Sequence, residues 1–389
     1  MNYSLLSSTM TRAAALLSLM VIACGDAGGA SETASSETEP TTSDEPSTSD
    51  ATEGPSTSDA TEGPTTSDVP TTGTSDASTT TDEAPAAGLF VVAVGEQGSI
   101  LHCDEDGCES MASPVGTELD DVVVLAADRA FAVGSAGVVL AWDGAAWTTM
   151  DAPTSANLSA VAALDEQTLF VGGSDGAMLR WDGATWTEVE HPVQGVKEQT
   201  VHEIAFAGPD FGLAVVSSFA ELGQSSILRW DGASWTSERE GMDNMLSSLA
   251  VASPAVAAAG GYAPTPDEPL NLLTRDGQAT WTRVEDIGER NFVTGVSFAS
   301  ESFGMAVTDL SFGPRPPVLA LWDGATWTTQ EVQDPHTAVV LVDAELGFVV
   351  GWGDDEGAFV QRWKAGELTR LPTDSSATAL WGVDGIRLP

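Results

Sequence analysis

The chain repeats one β-hairpin pattern, and this repetition constrains its fold more than any other feature. The pattern reads Trp-Asp-Gly-x-x-Trp-Thr after a short apolar run, as in MLRWDGATWTEV from Met178. Asp-Gly between two apolar runs is a strong hairpin signal, because glycine accepts a positive φ and aspartate tolerates one. Counting degenerate copies, the first anchor of each repeat is Cys103, Trp142, Trp181, Trp230, Arg275, Trp322 or Trp363.

The spacing of these anchors predicts the architecture. Consecutive anchors lie 39, 39, 49, 45, 47 and 41 residues apart. A period of about 40 to 50 residues in an all-β pattern is typical of a β-propeller blade. We therefore predict an all-β, seven-bladed β-propeller over residues 88–389. The paired tryptophans, such as Trp181 and Trp186, are expected to pack blade against blade rather than to stack on a ligand.

The two ends of the predicted propeller complement each other. Each repeat has apolar runs for two further strands before the hairpin, except the first repeat, which starts directly after the linker and lacks its first strand. The last residues, ATALWGVDGIRLP, resemble such a first strand without a blade of its own. We expect this C-terminal strand to complete the first blade and close the ring, so that no sheet edge stays open.

Residues 1–23 have the layout of a lipoprotein signal peptide. Arg12 precedes an apolar stretch that ends at Cys24 and is too short to span a bilayer. Val21-Ile22-Ala23-Cys24 fits the bacterial lipobox, in which the cysteine is acylated and becomes the new N-terminus. The alternative is an ordinary signal peptide with a chance cysteine. Gly25 stands where aspartate would retain a lipoprotein at the inner membrane of enteric bacteria, which favours an outer-membrane or cell-surface location.

Residues 24–87 are predicted to be a disordered tether. The segment repeats PSTSDATEG from Pro46 and Pro55 and is dominated by Ser, Thr, Pro and acidic residues. Such a composition buries too little apolar surface to offset the entropy of ordering, and like charges extend it further. We expect it to hold the propeller away from a membrane.

The charge of the chain excludes one class of partner. The formal net charge is -44, and the propeller region alone carries 44 acidic against 13 basic residues. A field of this sign repels nucleic acids and anionic headgroups. We therefore expect no nucleic-acid partner, and contact with a membrane through the lipid anchor only.

Cys103 and Cys108 stand where the other repeats carry two tryptophans. Residues directly opposed across a hairpin lie close enough for a disulfide, which an exported protein can keep. We predict this bond. A metal pair is the rival reading, but the four histidines are scattered and offer no further ligands at zinc spacing. We expect neither a metal nor a cofactor.

The patterns that suggest catalysis are better explained by the repeat. Gly172-Gly173-Ser174-Asp175-Gly176 matches G-x-S-x-G, but the register puts it in a hairpin turn and not in a strand-to-helix elbow. The scattered arginines that precede the motif tryptophan are expected to be scaffold positions. The clusters Asp104-Glu105-Asp106 and Asp354-Asp355-Glu356 lack the spacing of a calcium loop. We expect a protein that is not an enzyme.

The repeat unit resembles those of bacterial BNR/Asp-box-like β-propellers. The unit reads F-x-V-G, then Gly, an apolar pair and Trp-Asp-Gly-x-x-Trp-Thr, and it covers residues 88–389. It is similar to the photosystem II assembly factor-like family, with its WD40/YVTN/BNR-like repeats, and to propeller lipoproteins of myxobacterial type. The sialidase Asp box differs, since Asp182 and Gly183 are adjacent here. The resemblance implies protein binding or help in assembly, and it names no ligand.

The lengths of the b–c connections suggest a binding face. They are short in blades one to three and longer in blades four to seven, which are consecutive around the ring. Insertions on one face of a repeat array often mark its binding side. The large groups they carry, which suit an interface, are Phe219, Leu222, Tyr262, Phe312, Arg315 and Trp352.

We therefore expect a monomeric lipoprotein of the bacterial cell envelope, exposed to the periplasm or the cell surface, whose propeller binds a protein or a glycan. The alternatives are a propeller-type glycan hydrolase or lyase and a purely structural envelope component. A hydrolase would need an acid, a base and an arginine that converge at the channel mouth, and the sequence does not place such a set together.

Overall fold

The computed structural model describes residues 88–388 except 196–197, 219–223, 263–271, 285–286, 288–291, 310–315 and 354–356. The signal peptide, Cys24 and the tether therefore lie outside the described residues, as do Phe219, Leu222, Phe312 and Arg315 of the predicted binding face. Among the described residues, no helix has the length and apolar character needed to cross a bilayer.

The described residues form seven four-stranded antiparallel sheets, one for each predicted blade. Strands a to d run outward from the centre of the ring in each blade. In chain order the strands are β1 Leu89–Gly95, β2 Ile100–Cys103 and β3 Cys108–Ser110; β4 Leu119–Ala126, β5 Arg129–Gly134, β6 Val139–Trp142 and β7 Trp147–Met150; β8 Leu158–Asp165, β9 Thr168–Gly173, β10 Met178–Trp181 and β11 Trp186–Glu188; β12 Gln199–Gly208, β13 Phe211–Ser218, β14 Gln224–Trp230 and β15 Trp235–Asp243; β16 Met245–Ser253, β17 Val256–Tyr262, β18 Leu272–Arg275 and β19 Trp281–Arg283; β20 Phe292–Ser300, β21 Phe303–Asp309, β22 Val318–Trp322 and β23 Trp327–Glu331; β24 His336–Leu341, β25 Leu346–Gly353, β26 Gly357–Lys364 and β27 Glu367–Arg370; and β28 Leu380–Arg387.

The last strand closes the ring as predicted. The first sheet has the order β28-β1-β2-β3, so the C-terminal strand is the innermost strand of the first blade. It pairs antiparallel with β1 from Leu89 opposite Arg387 to Val94 opposite Gly382. Each inner strand also packs against the inner strands of its two neighbours, which makes a closed ring around a central channel. The predicted seven-bladed propeller is confirmed.

The core lies between the blades. Trp142 and Trp147 are directly paired across their hairpin, both are buried, and they pack with Phe90 and Val92 of the preceding blade. The prediction that the tryptophan pairs form blade-to-blade core is therefore confirmed for this pair. Trp181 and Trp186 are only half-buried.

The aspartate side chain of each hairpin turn stabilises that turn by accepting hydrogen bonds from its backbone. Asp143 Oδ1 accepts the backbone N–H groups of Ala145 and Ala146 at 2.9 and 2.8 Å, and Gly144 has a φ of 90°. These two hydrogen bonds lower the pKa of Asp143 below its ordinary value. The same arrangement recurs in the other turns, which explains why the Asp-Gly pair repeats. The carboxylates repeated in this way are Asp104, Asp182, Asp231, Asp276 and Asp323.

Candidate functional site

The face predicted to bind a partner is the one where strand b passes to strand c. The connections from strand d to the next strand a reach the same face, because strand a runs antiparallel to strand b. We call it the b–c face. Of the six residues predicted to mark it, the structure describes Tyr262 and Trp352. They lie near the end of strand b in the fifth and seventh blades, at equivalent register positions, since each follows the glycine that pairs with the residue before the bulge.

Both described aromatics are half-buried rather than fully exposed. The Tyr262 ring stacks on Phe292, the first residue of the next inner strand, with centroids 5.8 Å apart and an interplanar angle of 18°. Phe292 is not among the residues predicted from the lengths of the b–c connections, because it lies on an inner strand and not in such a connection. The two rings extend the b–c face across the boundary between the fifth and sixth blades.

The long b–c connections differ from their predicted form in two blades. In the fourth blade the ladder between strands b and c continues as far as Ser218 opposite Gln224, and in the seventh as far as Gly353 opposite Gly357. Most of the added length there is paired strand rather than loop. In the fourth blade two serine hydroxyl groups support this pairing. Ser217 Oγ and Ser225 Oγ lie 2.8 Å apart. Ser217 Oγ donates to Leu246 O, and Ser225 Oγ donates to Asn244 O.

A β-bulge lies at the b–c end of every inner strand. In each blade it adds one inner-strand residue that has no opposite residue in the register with strand b, after an apolar or histidine position and two residues before an apolar one. The tetrapeptides are of the kind Leu-Asp-Asp-Val, Val-His-Glu-Ile and Leu-Trp-Gly-Val. A bulge re-aims a side chain and often lies next to a functional site. Six of the seven bulge residues are polar and the seventh is a tryptophan: Asp120, Ser159, His202, Ser247, Thr294, Thr337 and Trp381.

These bulge residues surround the channel mouth as a bulge ring, and two of them tie neighbouring blades together. Thr294 Oγ1 donates to His336 O at 2.6 Å, and Thr337 Oγ1 donates to Leu380 O at 2.6 Å. Among the other five, Asp120 is buried, and the remaining four are half-buried. Sequence reasoning missed this ring, although a polar residue between apolar ones is visible in six of the seven repeats.

Three carboxyl groups lie deeper along the channel. Burial, together with the nearby carboxylates, raises the pKa of Asp121 to about 7. Burial raises the pKa of Asp384 to about 6, and burial with the charges of Asp121 and Asp384 raises that of Glu203 well above its ordinary value. Groups with such values are candidates for acid–base catalysis, so their partners decide their role.

Two of these carboxyls each accept a hydrogen bond from a backbone group of the next blade. Asp121 Oδ2 accepts Val161 N–H at 2.8 Å, and its Oδ1 accepts Val122 N–H at 2.8 Å. Asp384 Oδ2 accepts Val124 N–H at 2.7 Å. At the position equivalent to Asp384, Ser297 Oγ accepts Leu341 N–H at 3.0 Å. These oxygens therefore link inner strands to one another.

The other candidate sites of the sequence resolve into structural contacts. Ser174 Oγ of the G-x-S-x-G pattern accepts Asn157 N–H at 3.0 Å within a turn. Arg180, Arg229 and Arg362 lie in three different sheets. Asp104 caps its own turn, while Glu105 binds Lys364 and accepts Arg362 Nη1 through its carbonyl oxygen. Asp354-Asp355-Glu356 lies outside the described residues.

The predicted disulfide between Cys103 and Cys108 is present. The two residues are directly opposed between β2 and β3, and both are buried. Across the described ranges, no three His, Cys, Asp or Glu side chains converge in a way that could hold a metal ion.

Comparisons with known proteins show the fold alone. YCF48 bound to D1 peptide is 13% identical with a TM-score of 0.51, covering 75% of this chain and 95% of that chain. The WD40 β-propeller domain of Doa1 is 14% identical with a TM-score of 0.51, covering 75% and 90%. The GH74 xyloglucanase from Xanthomonas campestris is 16% identical with a TM-score of 0.52, covering 78% of this chain but 54% of that chain. No protein-family model and no curated protein matches the sequence.

Proposed function

We propose that this chain is a lipid-anchored binding module of the bacterial cell envelope, whose b–c face binds a partner protein or glycan without chemical conversion. The observation that carries the proposal is the set of aromatic side chains at the strand ends of this face, Tyr262, Phe292 and Trp352. Aromatic groups dominate the energy of many interfaces, and strand ends present them with little conformational freedom.

The hydrogen bonds of two of the inner carboxyls, Asp121 and Asp384, favour binding over hydrolysis. A glycosidase needs two carboxyl groups that face the substrate, one of them able to donate a proton. Asp121 and Asp384 have raised pKa values, but their oxygens accept backbone N–H groups of the adjacent inner strand. A carboxyl that keeps two strands together is poorly free to deliver a proton to a glycosidic oxygen.

Solved structures with a similar fold include one that supports a binding module and one that supports a glycan hydrolase. The YCF48 structure, by its description, has a D1 peptide bound, so a propeller of this size can present a peptide site. The xyloglucanase supports the hydrolase alternative, although this chain spans about half of it. Release of reducing ends from xyloglucan by the purified full chain would favour the hydrolase. We expect none.

The location is part of the proposal. Acylation at Cys24 would hold the chain at a membrane while residues 25–87 give the propeller reach. The net negative charge of the propeller region favours a partner with basic groups near its contact surface.

Cross-linking the chain to components of the parent cell envelope, followed by capture of the cross-linked complex, tests whether the b–c face binds a partner. The full chain should capture a component that the triple variant Tyr262→Ala, Phe312→Ala, Trp352→Ala does not. Phe303→Ala is the matched control, because Phe303 begins strand b on the opposite face and stacks on Trp363 at 5.4 Å. It should capture as the parent does. Capture that survives the triple variant would move the site away from the b–c face.

A further inference from the structure

A solvent-open depression lies on the b–c face of the third blade, away from the aromatic residues of the fifth to seventh blades. Its volume is about 360 Å³. That is near the lower end for small-molecule sites, so it suits one small ligand. Its walls are residues 154–157, which precede β8, the b–c turn 174–177, and the side chains of Glu188 and Gln194. The turn contains the last three residues of the G-x-S-x-G pattern.

The turn that forms one wall is fixed from both sides. Ser174 N–H donates to Asn157 O at 2.8 Å, and Asn157 N–H donates to Ser174 Oγ at 3.0 Å. On the other side, Gly176 N–H donates to Gln199 O at 3.0 Å, and His191 Nε2 lies 3.0 Å from Gly176 O. His191 and Gln199 are both buried. The depression is therefore shaped before any ligand arrives, which lowers the entropy cost of binding.

Several polar groups of the wall retain hydrogen-bonding capacity. Ser174 Oγ and Thr154 Oγ1 each accept a backbone N–H, so each hydroxyl can still donate its proton. Asn157 Oδ1 accepts Ala136 N–H at 2.9 Å, which directs the amide oxygen to the protein and leaves two N–H donors. The Gln194 amide donates to Glu188 at 3.2 Å and keeps its oxygen as an acceptor.

The wall thus offers both donors and acceptors, and it carries two carboxylates, Asp175 and Glu188. None of the lining residues is cationic or aromatic. An anion would meet two negative charges, and an apolar ligand would leave the polar groups unpaired. Adjacent hydroxyl groups, each both donor and acceptor, match such a surface.

We propose that this depression binds one hexose unit of a neutral glycan and rejects the corresponding uronic acid. The ring hydroxyls accept from Asn157 Nδ2 and the Ser174 and Thr154 hydroxyls, and they donate to Asp175 and to Gln194 Oε1. The site is separate from the aromatic positions of the fifth to seventh blades, so partner capture by those blades and sugar binding by the third blade can fail independently.

Ligand-observed NMR on the purified full chain tests the site with four probes: D-glucose, D-galactose, D-mannose and D-galacturonic acid. With several hydrogen bonds and no stacking, the dissociation constant of a bound neutral hexose should be on the order of 1 mM. The variant Asn157→Asp keeps the oxygen that accepts Ala136 N–H but removes both amide donors. It should weaken binding about tenfold or more.

Two further variants make the test specific. Ser135→Ala changes the equivalent turn of the second blade, outside the depression, and should bind as the parent does. Asp175→Asn keeps a residue that tolerates the φ of 58° at this position and removes one negative charge. Its amide oxygen still accepts a hexose hydroxyl, but more weakly than the carboxylate, so the variant should bind the neutral hexose less tightly and lose part of the discrimination against galacturonic acid. Thermal melting of each variant separates loss of the site from loss of the fold.

The proposal is overturned if none of the three neutral hexoses binds at tens of millimolar, a concentration well above the expected constant. It is equally overturned if a hexose binds but the folded Asn157→Asp variant binds it unchanged, or if galacturonic acid binds as tightly as galactose. Capture of an envelope partner through Tyr262, Phe312 and Trp352 would be unaffected by any of these outcomes.

Discussion

At the scale of the residue, the most informative position is the one where the fifth repeat carries an arginine in place of the first tryptophan. Arg275 is buried and forms two hydrogen bonds to Glu238 of the preceding blade, at 2.7 and 2.8 Å. Trp281 Nε1 donates to the same carboxylate at 2.7 Å, and the guanidinium lies 5.1 Å from the centre of the Phe211 ring. The guanidinium of a buried ion pair thus stands where most other blades place the first ring of the tryptophan pair.

We expect Glu238→Gln to destabilise the propeller by about 3–5 kcal/mol, because a buried guanidinium would lose its counter-charge. The amide oxygen can still accept from Trp281, so the effect isolates the charge. Glu166→Gln is the control: its pair with Arg129 is at 4.0 Å and largely exposed, and its loss should cost less than about 1 kcal/mol. Denaturant unfolding of both variants measures the difference; equal effects would contradict the role of burial.

The inner carboxyls also predict how the stability of the fold depends on pH. The pKa of Asp384 is raised by burial to about 6, so the folded state binds more protons than the unfolded chain between about pH 4 and pH 6. The contribution of this group to stability is therefore greatest at low pH and falls as the pH rises through that window. Ser297 shows that a neutral oxygen can accept the equivalent backbone N–H.

Asp384→Asn should accordingly raise the melting temperature at pH 8 and change it little at pH 4. The gain at pH 8 should be on the order of 1 kcal/mol, since the channel leaves the group partly hydrated. Thermal melts of parent and variant across the range give the answer. A variant less stable than the parent at both ends of the range would mean that the charge itself is needed to hold Val124 N–H.

At the scale of the element, the closure of the ring depends on close backbone packing between β28 and β1 within the first blade. A Cβ atom on Gly385 of β28 would lie 2.5 Å from Val91 Cγ2 and 2.9 Å from Val91 Cα. The strand therefore sits against β1 with no room for a side chain at this position. The boundary between the seventh and first blades carries the ion pairs of Arg387 with Asp343 and of Lys364 with Glu105.

Gly385→Ala should therefore lower stability by about 1–3 kcal/mol through overpacking at the ring closure. Gly116→Ala is its match, since an added Cβ there meets no atom within 4 Å. The melting temperature of that variant should equal that of the parent or lie slightly above it, because alanine lowers the entropy of the unfolded chain. If both alanines behave alike, β28 does not control the stability of the ring.

The elements also show why the sequence predicted some features and not others. Trp-Asp-Gly-x-x-Trp is local, so the c–d hairpins, the pairing of Cys103 with Cys108 and the number of blades were predictable. The contact of Arg275 with Glu238 joins residues of different blades, and no local pattern announces it. The b–c connection of the fourth blade has few apolar residues to signal strand, so pairing at Ser217 and Ser225 through hydroxyl groups was counted as loop.

At the scale of the whole molecule, the candidate site was only partly predictable. The lengths of the b–c connections pointed to the b–c face, and Tyr262 and Trp352 do lie there. The bulge ring and the depression of the third blade depend on register between strands and on neighbouring loops, which a single sequence does not fix.

The anchor at Cys24 remains a prediction of the sequence. Cys24→Ala should release the chain from the membrane fraction or leave the signal peptide uncleaved, because acylation and processing both need the thiol. Fractionation of cells that express parent and variant, followed by mass determination of the mature chain, measures both effects. Unchanged membrane fractionation would mean that some other element holds the chain there.

The pairing of Leu89 with Arg387 has a mechanical consequence. Both residues are the outermost pair of the β1–β28 ladder, so a force that pulls the two chain ends apart acts on this ladder from its end. Its hydrogen bonds would then break one after another rather than together, and the ring would open at low force by unzipping.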